Sequence, residues 1–269
     1  MRDLGTIDYG QCWDLQKYLF GRLSEAKAGN LRESRATKDA ENASDIVKAR
    51  QHLLLCEHPA VYTLGKSGDE GNMLVAEEFL KSKGADFYRI DRGGDITFHG
   101  PGQLVGYPIL DLELLELGLR DYIYAVEEAV IATVAEYGIS GTRVEGAAGV
   151  WLVDGGPLRQ ICAVGVRASR FVTVHGVALN ANTDLSWFGL INPCGFADRG
   201  VTPIARETGV AVDMCRLKSR FAAHFGEILN IKINTEDYAN RKALGNQATG
   251  RTTEDRRSCC IDRNTPRAC

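Results

Sequence analysis

The chain of 269 residues is predicted to form one α+β domain in which a mixed β-sheet is flanked by helices. Two observations favour this class. Segments rich in strand-forming residues are interleaved with a few helical segments, a pattern typical of α+β domains. Apolar residues make up 44% of the chain, which is enough for one large core. We place the domain at residues 1–238, because the composition changes over residues 239–269.

The first part of the domain is predicted to contain one helix followed by two strands. Apolar residues recur at helical spacing over residues 9–23, and the polar stretch 24–50 continues this pattern as a long solvated helix or a mobile arm. Residues 53–56 and 61–64 are rich in strand formers and are separated by His58-Pro59. Two short strands around a proline break are therefore expected.

The clearest helix is predicted to begin near Asp121, a residue that favours the positive end of a helix. Apolar residues from Ile123 to Tyr137 then recur three or four positions apart, and Gly138 favours a stop. Further along, the patterns predict, in order, a hairpin of residues 150–153 and 160–166, a strand at 172–179, a helix at 213–229 and a final strand at 231–233.

The last 31 residues, 239–269, differ in character from the rest. They contain seven Lys or Arg residues against three acidic ones and show almost no apolar clustering. A segment of this kind cannot bury enough apolar surface to order itself. We predict a disordered basic tail that offers an optional contact surface.

Composition also excludes several classes of function. The net charge of -3 provides no overall attraction to nucleic acid or to anionic membranes, so neither partner is expected. No apolar run approaches the ~20 residues that span a bilayer, and the first ten residues lack a secretion signal, so we expect a cytoplasmic protein. Eight cysteines are sparse and show no zinc-ligand spacing, which predicts reduced thiols and no metal.

The strongest candidate site lies in residues 92–103, RGGDITFHGPGQ, where four glycines and a proline surround a histidine. Glycines let main-chain N–H groups approach a ligand closely, Arg92 supplies a positive charge and His99 supplies a titratable ring. The alternative is a tight connector between strands, which needs only one or two glycines. A ligand loop is therefore favoured, and its spacing matches neither a Walker loop nor a dinucleotide-binding loop.

Two further candidates are a cysteine and a histidine. Cys194 lies between Pro193 and Gly195, which leave space beside its sulfur, although most cysteines of this kind are small buried side chains. His175 and Gly176 interrupt a strand-forming run, where a glycine often marks the close approach of a ligand or of another backbone. On the residues alone, His175 is as consistent with a structural histidine as with a ligand contact.

Taken in order, five motifs closely resemble the octanoyltransferases of lipoate biosynthesis. They are HPxVYTLG at 58–65, RGGDITFHGPGQ at 92–103, ICAVGVR at 161–167, HGVALN at 175–180 and NPCG at 192–195. The resemblance covers residues 9–229. It implies the fold of the biotin and lipoate protein ligase catalytic domains, and the transfer of an octanoyl group from acyl carrier protein without a cofactor.

The resemblance also implies partners and site residues. The acceptor is a lysine of the lipoyl domains of 2-oxoacid dehydrogenase E2 subunits or of the glycine-cleavage H protein, and Cys194 is the nucleophile that carries the acyl thioester. The acyl-binding positions that it implies are Arg92, Gly93, Gly94, Asp95, Ile96, Thr97, Phe98, His99, Ala163, Val164, Gly165, Gly176, Val177 and Ala178.

One departure from the family pattern concerns the group that activates the cysteine. The family has a lysine 34 residues before the cysteine, where this chain has Gln160. Glutamine can donate a hydrogen bond but supplies neither a charge nor a base. Arg159 is adjacent, and it replaces the lysine only if the strand bulges, because consecutive side chains point to opposite faces. His99, His175 or water would otherwise take the proton.

The departure leaves an alternative function, a catalytically weak or inactive acyl-binding homologue. An ATP-dependent ligase on the same fold is disfavoured, because such ligases activate a free acid and rely on a lysine rather than on a cysteine nucleophile. An acidic carrier protein would need a local basic patch, for which Arg159, Arg167 and Arg170 are the candidates.

Overall fold

The computed structural model describes residues 1–36, 50–192 and 200–235, with the side chains of residues 30–36 excepted. The proposed nucleophile Cys194, part of the polar stretch 24–50 and the basic tail 239–269 lie outside these ranges. A mixed β-sheet flanked by helices is present, as predicted. None of the described helices is long and apolar enough to cross a membrane.

The larger sheet has eight strands, seven of them in the order β1-β2-β6-β10-β9-β8-β7, with β11 beside β9. The β1/β2 and β9/β11 pairs are parallel and the other neighbours are antiparallel, so the sheet is mixed. Its strands are β1 Arg2–Thr6, β2 His52–Glu57, β6 Gln103–Ile109, β7 Thr142–Val144, β8 Ala147–Leu152, β9 Arg159–Ser169, β10 Val172–Asn180 and β11 Gly200–Val201.

The smaller sheet has three strands, with β3 Val61–Leu64 between β4 Asp86–Arg89 and β5 Ile96–His99. The two strands predicted around His58-Pro59 are therefore present, but they belong to different sheets. Strand β5 lies inside the glycine-rich segment, which was predicted to be a loop throughout. The residues from Ile96 to His99 are strand formers that pair with β3, so the segment is a loop only on either side of them.

Helices cover both faces of the larger sheet. Helix α1 Tyr9–Ala36 packs its apolar residues against one face, which includes Leu54 and Cys56 of β2. Helices α3 Leu119–Ala135 and α5 Met214–Ile228 pack on the other face, against Leu53 and Leu55. Alternate residues of β2 thus serve opposite layers, as the two-residue period of a strand requires. The remaining helices of the described residues are α2 Glu77–Ser82, α4 Ile204–Thr208 and two short 3-10 helices, Glu70–Asn72 and Leu185–Leu190.

The helix boundaries follow local signals in the sequence. Asp121 lies in the first turn of α3, and Gly138 adopts a φ of +75° three residues after the helix ends. The Asp213 side chain accepts hydrogen bonds from the backbone N–H groups of Cys215 and Arg216 and so caps α5. Both predicted helices are confirmed, as are the β8/β9 hairpin and strand β10.

The predicted final strand at 231–233 is wrong. The backbone N–H of Ile231 donates to the carbonyl of Gly226 in α5, so it is not available to a neighbouring strand. Ile233 packs on Gly226, where a Cβ atom would lie 2.8 Å from the Ile233 side chain. The apolar residues of this segment, Ile231 and Ile233, are therefore partly buried against a helix. Strand β1, which was not predicted, takes the edge of the sheet beside β2.

Candidate active site

A cavity of about 450 Å³ lies between the larger sheet and the glycine-rich segment. Strands β6, β9 and β10 contribute one wall, and residues of the segment 92–99 contribute the opposite wall. Every acyl-binding position implied by the family resemblance lines this cavity except Gly93 and Phe98. Phe98 instead packs in the apolar cluster beneath the smaller sheet, and the Gly93 backbone N–H donates to the carbonyl of Val166.

The floor of the cavity consists of small residues on two paired strands. Gly165 of β9 lies opposite Gly176 of β10, and Ala163 lies opposite Ala178. A Cβ atom at Gly165 would lie 2.7 Å from the Arg92 side chain, and one at Gly176 would lie 2.1 Å from the Gly106 carbonyl oxygen. Neither position has room for a side chain, so the floor carries no group larger than a methyl.

Arg92 fixes the loop that enters β5. Its guanidinium donates to the backbone carbonyls of Gly93 at 2.7 Å, Asp95 at 2.7 Å and Thr63 at 3.3 Å. The loop also lies close to Gly65, where a Cβ atom would be 2.2 Å from the Gly94 carbonyl oxygen. Arg92 therefore has two roles. It lines the cavity, and it ties the segment 92–95 to β3.

His99 is a neutral side chain held in one orientation. The Gln103 amide nitrogen donates to the carbonyl of Phe98 and to Asn180, so the Gln103 oxygen must accept from His99 Nδ1 at 2.8 Å. Burial lowers the pKa of His99 to about 3. His99 Nε2 is thus left unprotonated in a ring that stacks on Tyr9, with ring centroids 6.0 Å apart.

His175 is 1% exposed and forms a pair with Asp91 at the end of the cavity. Its Nε2 lies 2.8 Å from Asp91 Oδ1, and the same carboxylate pairs with Arg167. The backbone N–H of His175 donates to Gln16 of α1, and the residue has a φ of +62°, which is rare outside glycine. Nδ1 of His175 is buried and has no partner among the described residues.

The pKa values of the pair follow from this geometry. Burial lowers the pKa of His175, although the Asp91 carboxylate opposes this effect. Partial burial disfavours the Asp91 carboxylate, but the hydrogen bond from His175 and the charge of Arg167 outweigh it, so the pKa of Asp91 is lowered. The stable form is a carboxylate beside a neutral imidazole that carries its proton on Nε2 and a free lone pair on Nδ1.

Gln160, at the position of the family lysine, lines the cavity and is 7% exposed. Its amide nitrogen donates to the Ala148 carbonyl at 3.2 Å. The register between β8 and β9 shifts at this point, with Ile161 as the extra residue. The shift does not bring Arg159 into the cavity, because its guanidinium pairs with Asp154 and Glu207, each at 2.7 Å. Arg159 therefore does not replace the lysine.

The residues on either side of the segment 193–199 are anchored beside the cavity. The Asn192 backbone N–H donates to the Asn72 carbonyl, and the Asn72 side chain donates to Asp95, which lines the cavity. On the other side, Gly200 and Val201 of β11 pair with Arg159 and Gln160 of β9. The chain thus leaves and re-enters the described structure near two residues that line the cavity, Asp95 and Gln160.

Several cavity residues were missed by the sequence analysis. Tyr9, Tyr107 and Trp151 contribute large aromatic walls, and smaller parts come from Ser67, Val105 and residues 146–148. Isolated aromatic residues in apolar runs are usually core residues, so nothing in the sequence distinguished these three. Of the three, Tyr107 was the easiest to predict as a cavity residue, because it lies shortly after the end of the glycine-rich segment.

The three arginines predicted to form a basic patch do not cluster. Arg159 and Arg167 lie near opposite ends of β9, about 26 Å apart for eight strand residues. Both guanidinium groups are engaged in ion pairs with acidic residues of this chain. The prediction of a basic patch formed by all three arginines is therefore wrong.

Comparison with solved structures gives the class of protein that this fold defines. The fold matches a bipartite lipoate protein ligase from Thermoplasma acidophilum with a TM-score of 0.60 and 15% identity, over 93% of this chain and 91% of that chain. It matches LipL1 of P. falciparum in complex with lipoate with a TM-score of 0.61 and 10% identity, over 91% and 67%. The fold is therefore that of a ligase-type catalytic domain, as the resemblance implied.

The particular family follows from the sequence comparison. The profile of the lipoyl protein ligase A/B catalytic domain matches residues 8–226, and the chain belongs to this family. It is 48% identical to a relative named octanoyltransferase from Flavobacterium psychrophilum, over 87% of this chain and 97% of the relative. It is 50% identical to one of the same name from Bacteroides fragilis, over 81% and 92%.

Three buried histidines make a pH dependence of stability expected. Burial lowers the pKa values of His58, His99 and His175 in the folded chain, whereas the unfolded histidines titrate near about 6.5. Below that pH the unfolded state binds more protons, so the free energy of unfolding should fall as the pH drops from about 6.5 to 5. Each histidine contributes a slope of up to about 1.4 kcal/mol per pH unit.

Urea unfolding at several pH values measures this slope, and His99→Gln should reduce it by the equivalent of one proton. The slope is the readout, so a lower overall stability of the variant does not affect the test. An identical slope in the wild type and in the variant would show that His99 does not stay neutral in the folded chain.

Proposed function

We propose that the chain transfers an octanoyl group from octanoyl-acyl carrier protein to a lysine of lipoyl domains, through a thioester on Cys194. The observation that carries this proposal is the floor of the cavity, which carries no group larger than a methyl, in a chain about 48% identical to relatives named octanoyltransferase. An acyltransferase of this kind needs a slot for a linear apolar chain, and the paired glycines and alanines of β9 and β10 supply one.

The size and polarity of the slot suit an acyl chain of about eight carbons. Burial of seven methylene and methyl groups is worth roughly 5 kcal/mol at about 0.8 kcal/mol each, before the entropy costs of binding. Ile96 and Val105 line the slot beside the small residues and offer apolar contacts. Much shorter chains lose most of this free energy, so the slot selects against them.

The proposed reaction is a double displacement that needs no ATP. The Cys194 thiol gives up its proton, its sulfur attacks the octanoyl carbonyl, and the bond from that carbonyl to the carrier sulfur breaks. The released carrier thiolate takes the proton. The neutral amine of the acceptor lysine then attacks the new thioester, an amide forms, and Cys194 leaves as a thiolate that takes the proton lost by the amine. A thioester is activated enough for both steps.

His175 is the proposed proton acceptor in place of the family lysine. Gln160 cannot accept a proton, and the guanidinium of Arg159 is held elsewhere. His175 has a carboxylate partner on Nε2 and a buried Nδ1 without a partner in the described part of the chain, the arrangement in which an imidazole acts as a base. His99 is less suitable, because its very low pKa makes it a weak base.

The acceptors that we propose are the lipoyl domains of 2-oxoacid dehydrogenase E2 subunits and of the glycine-cleavage H protein. The Thermoplasma neighbour in fold was solved as part of a lipoylation system with its E2 lipoyl domain, which supports an acceptor of that type. The alternative of an inactive acyl-binding homologue finds no support among the relatives, which are named as transferases.

The thioester can be tested by mass spectrometry. Incubation with octanoyl-loaded carrier protein should add about 126 Da to the chain, the mass of an octanoyl group that replaces a hydrogen. Peptide mapping should place the adduct on Cys194, and Cys194→Ala should abolish it. Cys215→Ala, which removes a partly exposed cysteine, is the matched control and should acylate normally. An equal adduct in Cys194→Ala, or none in any protein, would exclude the covalent route.

The proton acceptor can be tested by restoring the family lysine. Gln160→Lys should raise the rate of thioester formation by less than the roughly 10²- to 10⁴-fold contribution of a positioned base, because His175 already serves as the base in the wild type. Gln160→Arg should give a smaller gain, because a guanidinium supplies charge without a base. His175→Gln should slow the wild type but have little effect in the Gln160→Lys background.

Gln11→Lys, at an exposed position of α1, is the control for an added positive charge and should leave the rate unchanged. If His175→Gln is as fast as the wild type over the whole pH range, another group takes the proton. If Gln160→Lys restores transfer to a wild type that shows none, the chain is an inactive homologue.

A further inference from the structure

Two cysteines and a histidine meet behind the cavity, although they lie far apart in the sequence. Cys12 comes from α1, Cys56 ends the buried part of β2, and His58 follows that strand. All three side chains are completely buried. One ligand atom from each lies within 4.8 Å of the others, and Cys56 Sγ is 3.5 Å from His58 Nε2. No step of the proposed transfer reaction uses any of the three.

The orientation of His58 prepares it as a ligand. Its Nδ1 is 2.8 Å from the Ile7 carbonyl oxygen, which can only accept a hydrogen bond, so the proton must be on Nδ1. Nε2 therefore carries a lone pair and no proton, and it lies 3.5 Å from Cys56 Sγ. A hydrogen bond from the remote ring nitrogen to a backbone carbonyl is the outer-shell contact that metal-bound histidines usually make.

We propose that Cys12, Cys56 and His58 form a binding site for a thiophilic divalent cation of the Zn²⁺ class. Two sulfurs and an imidazole are soft to borderline donors, which disfavours Mg²⁺ and Ca²⁺. Binding releases one proton from each thiol to solvent, and the two thiolates then balance the charge of a divalent ion. The neutral product suits a fully buried position better than the net negative site that a monovalent ion would leave.

The site is coupled to the cavity through Tyr107. The Tyr107 hydroxyl lies 2.8 Å from His58 Nε2 and donates to the lone pair that a cation would use. An ion at Nε2 therefore displaces this hydrogen bond and frees the hydroxyl of a residue that lines the cavity. His58 also packs against Tyr9 and His99, with ring centroids 5.2 and 6.1 Å away. An ion bound to His58 would therefore also affect these two residues, which line the cavity.

The test uses the full chain with Cys194, Cys259, Cys260 and Cys269 replaced by serine, so that only the four cysteines described in the structure remain. After chelator treatment under reducing conditions, Cd²⁺ is titrated and the thiolate-to-metal absorbance in the ultraviolet is followed. The expected result is a single tight Cd²⁺ per chain that Zn²⁺ displaces and Mg²⁺ does not.

Removal of either sulfur should weaken Cd²⁺ binding by roughly 100-fold or more, beyond the loss caused by an outer-shell change. Cys12→Ala suits a helix and Cys56→Val suits a buried strand, so one of them remains usable if the other fails to fold. Cys162→Ala removes a buried cysteine outside the site and is the matched control.

Three outcomes would overturn the proposal: no thiolate-to-metal absorbance, unchanged affinity in a folded Cys12→Ala or Cys56→Val, or binding of Cu⁺ alone. Because this measurement needs neither Cys194 nor acyl transfer, its outcome is independent of the proposed function.

Discussion

The pairing of β9 with β10 is the constraint on which the site depends. Their register sets Gly165 against Gly176 and Ala163 against Ala178, so the two strands place no side chain larger than a methyl on this face at these positions, and the Arg92 side chain lies over Gly165. A shift of one residue would turn the neighbouring valines to this side and close the slot. The register is secured by the long antiparallel ladder of the two strands, which continues on either side of the cavity. The space for an acyl chain is thus a property of the sheet.

The opposite wall of the cavity is formed by residues of the segment 92–99. Hydrogen bonds between buried polar groups hold this wall in one arrangement. Arg92 binds three backbone carbonyls, and His99 is fixed by Gln103 and Asn180. Each of these contacts removes a side-chain rotation that ligand binding would otherwise have to restrict, so the cavity is formed in advance. His175, on the sheet side of the cavity, differs because its buried Nδ1 has no partner among the described residues, which leaves that atom available for chemistry.

Much of the fold could be predicted because local signals and tertiary packing agree. Helix α5 shows this agreement, since the Asp213 cap and the apolar face both mark the same segment. The errors come from positions where tertiary contacts decide. The run at 231–233 has strand formers but packs on a helix, and β1 contains Asp3 and Gly5, which are weak strand formers.

The same distinction applies to the site. The loop and the floor of the cavity could be predicted from glycines and other small residues in motifs. These residues leave space for a ligand, and their small size is evident from the residue type. Aromatic residues of the cavity wall, such as Tyr9 and Trp151, cannot be distinguished in the sequence from aromatic residues of the core. The cluster of Cys12, Cys56 and His58 shows the limit most clearly: no zinc-like spacing is present, and the three side chains meet only after α1 has packed on β2.

The central claim is that the bare floor selects an acyl chain of about eight carbons, and the dependence of transfer on chain length tests it most directly. The wild type should prefer octanoyl over butanoyl thioesters by about 100-fold, since four methylenes at about 0.8 kcal/mol each are buried. Ala178→Leu should remove most of this preference, whereas Ala223→Leu on the exposed face of α5 should keep it. Equal rates for the two chain lengths in the wild type, or an unchanged preference in Ala178→Leu, would contradict the account.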